Sequence, residues 1–201
     1  LSATEIIQKS TDLLNGKSSV GTMKMTVVRP SWSREVTMKS WSMTDEFYLI
    51  LITAPVKDKG QTFLKRHTDM WNWMPSINKM IKIPPSMMSQ SWMGSDFSND
   101  DLAKSDSILD DYDHAIVERE MVDGHQVFTV QSIAKEDAPV VWGKQILRVR
   151  DDFILLSEQF FDEDMELVKE MTAEDLVEFS GRIFPKIWTM RRVDERDRFT
   201  R

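Results

Sequence analysis

Three tryptophans (Trp71, Trp73, Trp92) and six methionines (Met70, Met74, Met80, Met87, Met88, Met93) fall between Asp69 and Leu102, interleaved with prolines and polar turn residues. Unbranched Met and broad Trp faces adapt to ligands of imprecise shape, so the chemistry offered is apolar capture rather than bond making. The stretch opens with Trp71 and Trp73 at alternating positions, runs through Met80, Ile81 and Ile83, and breaks at Pro84-Pro85. It then presents Met87, Met88, Trp92, Met93 and Phe97 from backbone that reads as irregular. A Met-rich core beneath a long loop has the same composition, and spacing alone leaves both readings open.

Side chains that make and break bonds are poorly arranged by comparison. His67, His114 and His125 are scattered among turn-like segments without HExxH or other ligand spacing, and ordinary surface histidines are expected. Asp106, Asp110, Asp111 and Asp113 cluster, yet the Gly and terminal Glu of a calcium loop are missing, so a solvated acidic turn is expected over Asp110 to Asp113. Ser91 and Ser95-Asp96 lack the G-x-S-x-G elbow of a hydrolase. With only seven glycines there is no phosphate loop, and with no cysteine there is no thiolate site. No enzyme activity, cofactor or metal is expected.

The run W-x-W-x-P-x-x-N-K-x-x-x-I-P-P-S-M-x-x-Q-S-W-M-G-S-D-F-S-x-x-D-L, Trp71 to Leu102, closely resembles the signature of the outer-membrane lipoprotein-sorting proteins, relatives of the LolA/LolB lipoprotein carriers. The resemblance implies a mainly β (α+β) fold: an incomplete, strongly curved antiparallel β-barrel with helices packed on or plugging its concave side. It implies a periplasmic carrier, its signal peptide removed, that holds acyl chains of lipoproteins or other envelope lipids in an apolar cavity. An inner-membrane transporter as donor and an outer-membrane acceptor would be its partners. Under this likeness the lipid-binding candidates are Met23, Met25, Met38, Trp41, Trp71, Trp73 and Met80 on the strands, with Met87, Met88, Trp92, Met93 and Phe97 on a movable cover. The alternative of another class is a sensor or interaction module that binds lipoprotein or polypeptide in envelope-stress regulation.

Composition bounds the class independently. At 201 residues, with no linker-like stretch, the chain suits one β-rich domain over 1–201. A formal charge of −7 disfavours a nucleic-acid surface and permanent docking on an anionic bilayer. No apolar run reaches the roughly 20 residues needed to cross a membrane as a helix. The first residue is Leu1 rather than Met, which suits removal of a leader and equally a sequence that simply starts there.

The elements that must position these residues follow from periodicity. Ser2 with Glu5 forms a candidate capping box for a helix to Asn15, with an Ile6, Ile7, Leu13, Leu14 stripe and Gly16 beyond it. From Val20 the period becomes two, and strands are predicted to Pro30, over Arg34 to Met43, Glu46 to Thr53, Gln61 to Arg66, Asp69 to Met74 and Asn78 to Ile83. Whether Trp71 and Trp73 or Met70 and Met74 face inward is open, because both sets are apolar. Lys79 and Lys82 could rim an opening or protect a strand edge. Pro84 to Phe97 reads as a lid, and Ser98 with Asp101 as the cap of a short helix to about Lys104. Further strands are predicted over Ala115 to Glu120, Gln126 to Ile133, Lys144 to Arg150, Phe153 to Phe161 and Arg182 to Val193, with hairpin turns at Asp123-Gly124 and Asp151-Asp152. Glu166 to Glu178 fits helix or strand, so the count is ten or eleven strands. The mixed run of Arg191, Arg192, Arg196, Arg198 and Arg201 with Asp194, Glu195 and Asp197 reads as a solvated end.

Overall fold

A computed structural model describes residues 1–43, 47–103, 107–179, 181–195 and 197–201. Glu46, Lys104, Asp106 and Arg196, which bear on expectations above, lie outside the described residues.

Helix α1 (Ala3–Asn15) starts where its cap dictates. The Ser2 N–H donates to Glu5 Oε2 at 2.7 Å and the Glu5 N–H to Ser2 Oγ at 3.2 Å, so two otherwise orphaned donors are met reciprocally. Gly16, at φ 60°, turns the chain out of the helix.

The chain then divides into two compact units, Asn15–Ser105 with Thr200, and Leu1–Leu14 with Asp106–Phe199 and Arg201. The first unit holds β1 (Ser18–Arg29), β2 (Trp32–Met43), β3 (Phe47–Ala54), β4 (Thr62–Arg66), β5 (Asp69–Met74) and β6 (Lys79–Lys82), each paired antiparallel with its sequence neighbour. The short helix α2 (Asn99–Ala103) ends its covering segment. It is capped as expected, with Ser98 N–H on Asp101 Oδ2 at 2.7 Å and Asp101 N–H on Ser98 Oγ at 3.1 Å.

The second unit holds α3 (Ile108–Asp111), β7 (Tyr112–Val122), β8 (His125–Ala134), β9 (Lys144–Arg150), β10 (Leu155–Phe161), β11 (Leu167–Phe179) and β12 (Arg182–Arg192), again a nearest-neighbour antiparallel meander. Asp123 and Gly124, at φ 50° and 82°, make the two-residue β7–β8 turn with the mirror-image twist that hairpins favour. The two-residue β13 (Phe199–Thr200) completes thirteen strands. Strands β6 and β7 each have a single partner strand, so the antiparallel sheet is open.

The mainly β, antiparallel and unclosed architecture is the one expected, with three departures in detail. The strand count is thirteen rather than ten or eleven. Leu167–Phe179 resolves the ambiguous segment as β11, because Glu170 faces Arg191 across β12 and buried Lys169 places its ammonium 4.6 Å from the Trp142 ring and 5.0 Å from Phe160. Asp110 and Asp111 belong to a helical turn and Asp113 to β7, since Tyr112 between them must bury its ring and donate to the Trp142 carbonyl at 2.9 Å.

Each unit has its own core. In the second, Ile6 and Ile7 of α1 pack with Phe128, Val130, Leu147, Val149 and Leu155. In the first, Met25, Val27, Val36, Met38, Ile50, Ile52, Phe63 and Met70 form one face of β1–β5, and Met88, Trp92 and Ala103 of the following segment close over it.

A covered cavity as candidate functional site

The face that points inward in the first unit is set by register. Met25 opposes Val36, Met23 opposes Met38 and Val27 opposes Arg34, so Arg34 is the charged member of an otherwise apolar series. On β5 the inward residues are Met70, Asn72 and Met74, with Ile81 opposite Asn72 on β6. Trp71 and Trp73 therefore occupy the other face, as do Trp41 and Met80, and none of these four lines the cavity. Lys82 shares that face, paired with Asp69 at 2.8 Å and 5.5 Å from the Trp71 ring, so it does not rim the cavity.

A cavity of about 370 Å³ lies between these strands and the segment from Pro84 to Asn99. Its apolar wall is Phe63, Met74, Ile81 and Ile83, and its cover contributes Pro84, Met87, Trp92 and Met93. Polar groups gather beside them: Arg34 Nη2 lies 2.6 Å from Asp58 Oδ2, and Gln61 Nε2 donates to Asn72 Oδ1 at 3.2 Å. Arg34 Nε and Trp92 Nε1 are buried donors without an acceptor among the described residues. The volume falls within the range of small-molecule pockets, and the lining is amphipathic.

The cover is held by its own backbone as well as by packing. Trp92 N–H donates to the Phe97 carbonyl at 2.7 Å, Asn99 N–H to Gln90 at 3.0 Å and Asp100 N–H to Met88 at 2.9 Å. Met93 and Gly94, at φ 52° and 75°, bend the cover sharply. Arg29 ties this bend down, donating to the Gly94 carbonyl at 2.9 Å and meeting Asp96 at 3.0 Å, while Tyr48 Oη donates to the Leu102 carbonyl at 2.8 Å. The Trp92 ring stands edge-on to Phe63, with centroids 5.2 Å apart.

Of the residues singled out from sequence, Met87, Trp92 and Met93 meet at the cavity; Met25, Met38 and Met88 are in the core around it. Met23 shares the inward face but is 47% exposed, and Phe97 is half-buried. Sequence reading left Met70 and Met74 open as the alternative inward face of β5, and it missed Phe63 and the polar set. The alternation Arg34, Val36, Met38, with one charge in an inward series, is the signal that would have found Arg34.

The His125, Asp151, Asp152, Ser95 and Asp96 side chains are engaged by neighbours. His125 Nδ1 lies 2.8 Å from Asp151 Oδ1, and these with Asp152 could converge on a cation. Asp151 also accepts the Gln126 N–H, and Arg150 spans both oxygens of Asp152. The His125 hydrogen bond is the main cause that holds the Asp151 carboxyl below its usual range. Ser95 Oγ donates to the Trp92 carbonyl at 2.7 Å and Asp96 is paired with Arg29, so neither is poised beside a base.

Among solved structures, a DUF1329 family protein from Desulfovibrio piger superposes with a TM-score of 0.88 at 23% identity, covering 98% of this chain and 88% of that one. A Vibrio parahaemolyticus domain designated an outer membrane lipoprotein-sorting protein gives 0.85 at 22%, covering 98% and 88%. A LolA superfamily protein from Nitrosomonas europaea gives 0.81 at 19%, covering 100% and 90%. No curated protein matches the chain. A family model described as "Uncharacterized protein" matches residues 44–201, which is most of the chain. The protein thus belongs to that family, and its fold is the LolA-like fold of outer-membrane lipoprotein-sorting proteins that the run from Trp71 to Leu102 resembles.

Proposed function

We propose that the protein is a non-enzymatic periplasmic carrier that takes the acyl chains of a lipoprotein or another envelope lipid into the covered cavity for transfer toward the outer membrane. The observation that carries this reading is the amphipathic cavity of about 370 Å³ with its Met- and Trp-bearing cover. A ligand with an apolar tail fits the Phe63, Met74, Ile81 and Met87 wall, and its polar head fits the side of Arg34 and Asp58. Each methylene removed from water contributes about 0.8 kcal/mol, so burial of part of one chain gives useful affinity and leaves release to a better-binding acceptor. Pro84-Pro85 and the Met93-Gly94 bend delimit the piece of cover that moves. An inner-membrane donor and an outer-membrane acceptor are the partners this role requires.

The test is titration of the folded protein with dansyl-labelled undecanoic acid, followed by displacement with unlabelled acyl lipids. Ile81→Glu places a charge in the wall at a position already 42% exposed, so it leaves melting unchanged. It weakens binding roughly tenfold, the equivalent of about two methylenes lost from burial. If folded protein binds no long-chain lipid, detergent or acylated peptide, the carrier reading is wrong.

A further inference from the structure

The face of β1–β6 turned away from the cavity carries an apolar band where alternation normally puts polar residues. Following the register across six strands, Val20, Trp41, Leu49, Leu64, Trp71 and Lys82 stand in one row. Beside it run Lys39, Leu51, Thr62, Trp73 and Met80. Val20 and Met80, at the two ends, are 66% and 60% exposed, and the residues between them remain partly accessible.

Charge on this face runs against the rest of the molecule. Among the described residues Lys24, Lys39, Arg66 and Lys82 face outward with Glu35 and Asp69, which pair with Lys24 at 3.2 Å and Lys82 at 2.8 Å and leave an excess of two cations, on a chain whose net charge is −7. The cations sit against the aromatics: Lys39 Nζ is 5.0 Å from the Trp41 ring and Lys82 Nζ 5.5 Å from Trp71. Indole rings beside ammonium groups match the boundary of a bilayer, where rings lie at headgroup depth and ammonium groups meet phosphate. An ordinary protein–protein core is instead depleted in lysine.

We propose that this outer face docks reversibly on a lipid bilayer surface, with Trp41, Trp71 and Trp73 at headgroup depth and Lys39 and Lys82 on lipid phosphates. Docking and cavity loading use opposite faces of the same sheet, so each can fail without the other.

Co-sedimentation with vesicles tests it, using phosphatidylcholine alone and phosphatidylcholine mixed in equal parts with phosphatidylglycerol. Wild type binds both, the mixed vesicles more tightly, and added salt removes the difference. Trp71→Thr with Trp73→Thr lowers binding to both roughly tenfold, while Lys39→Glu with Lys82→Glu lowers mixed-vesicle binding to the neutral level. All variants keep wild-type circular dichroism and wild-type affinity for the dansyl probe. Should the tryptophan pair compromise folding, Val20→Ser with Met80→Ser at the exposed ends gives the same reading through a smaller loss. Wild type that binds neither vesicle, or variants that bind as wild type does, would overturn the proposal. So would a concentration-dependent dimer abolished by the Trp variants without vesicle binding, which would assign the face to a second copy.

Discussion

Truncation of Trp92 offers the sharpest test of how the cover is held. The side chain is 4% exposed, stands edge-on to Phe63 and leaves Nε1 without an acceptor among the described residues. Removing a buried aromatic to Ala costs about 4 kcal/mol, and losing an edge-to-face pair adds about 1 kcal/mol. Eliminating an unmet buried donor returns about 2 kcal/mol, which leaves a net loss near 3 kcal/mol for Trp92→Ala. For a chain of this size that lowers Tm by about 6–12 °C. Trp92→Phe keeps a ring against Phe63 and removes the unmet donor, so it costs about 1 kcal/mol or less. Urea unfolding followed by far-ultraviolet circular dichroism, with unchanged m, reads both values. If Trp92→Phe costs as much as Trp92→Ala, the indole N–H has a partner worth keeping and the reasoning fails. If Trp92→Ala costs nothing, the cover is not part of the core.

Three further outcomes are expected. Asp96→Ala strands Arg29, whose side chain is 12% exposed, and destabilises by about 3–5 kcal/mol, whereas Arg29→Met with Asp96→Leu recovers much of the loss; equal losses in the two variants would refute a charge-burial cause. Burial is the main cause that pushes the His114 imidazole below its ordinary value, so stability from this group is complete above about pH 6.5 and declines as pH falls through that value toward the lower folded one. His114→Gln removes this decline below about pH 6.5, and melting curves whose slope against pH is the same as wild type would contradict it. Because Asp151 and Asp152 already hold His125, Gln126 and Arg150, zinc or calcium leaves Tm unchanged; stoichiometric metal retained through chelation would show the site to be real.

What was legible in the sequence is what local chemistry decides. The Ser2–Glu5 and Ser98–Asp101 boxes and the Asp123-Gly124 turn each depend on groups within three residues, and all three form. The facing of β5 was not legible, because Met70, Met74, Trp71 and Trp73 make both parities apolar and only the neighbouring strands break the tie. β11 was hidden by Lys169, whose burial is made tolerable by Trp142 and Phe160 from elsewhere in its unit. Asp58 and Gln61 reach the cavity from the β3–β4 connection, where no periodicity operates.

The placement of the two covering segments along the chain has a consequence for the order of assembly. Residues 15–105 contain six strands each paired with its sequence neighbour, β1 also adding β13 from residues 199–200, and the piece that closes their core, Met88 to Ala103, follows directly after β6. The strand pairings within residues 15–105 are therefore short in loop length, and that stretch can complete its core before residue 107 is needed. The other unit is built in the reverse sense. Its cover, α1, precedes all of its strands in the chain, and its partners Phe128, Val130, Leu147, Val149 and Leu155 come more than a hundred residues later. Ile6 and Ile7 must wait unburied through that interval. A thirteen-residue helix is marginal alone in water, so α1 becomes lasting structure only when β8–β10 are ready to receive it. Premature capture of its apolar stripe by another surface is the characteristic hazard of this arrangement.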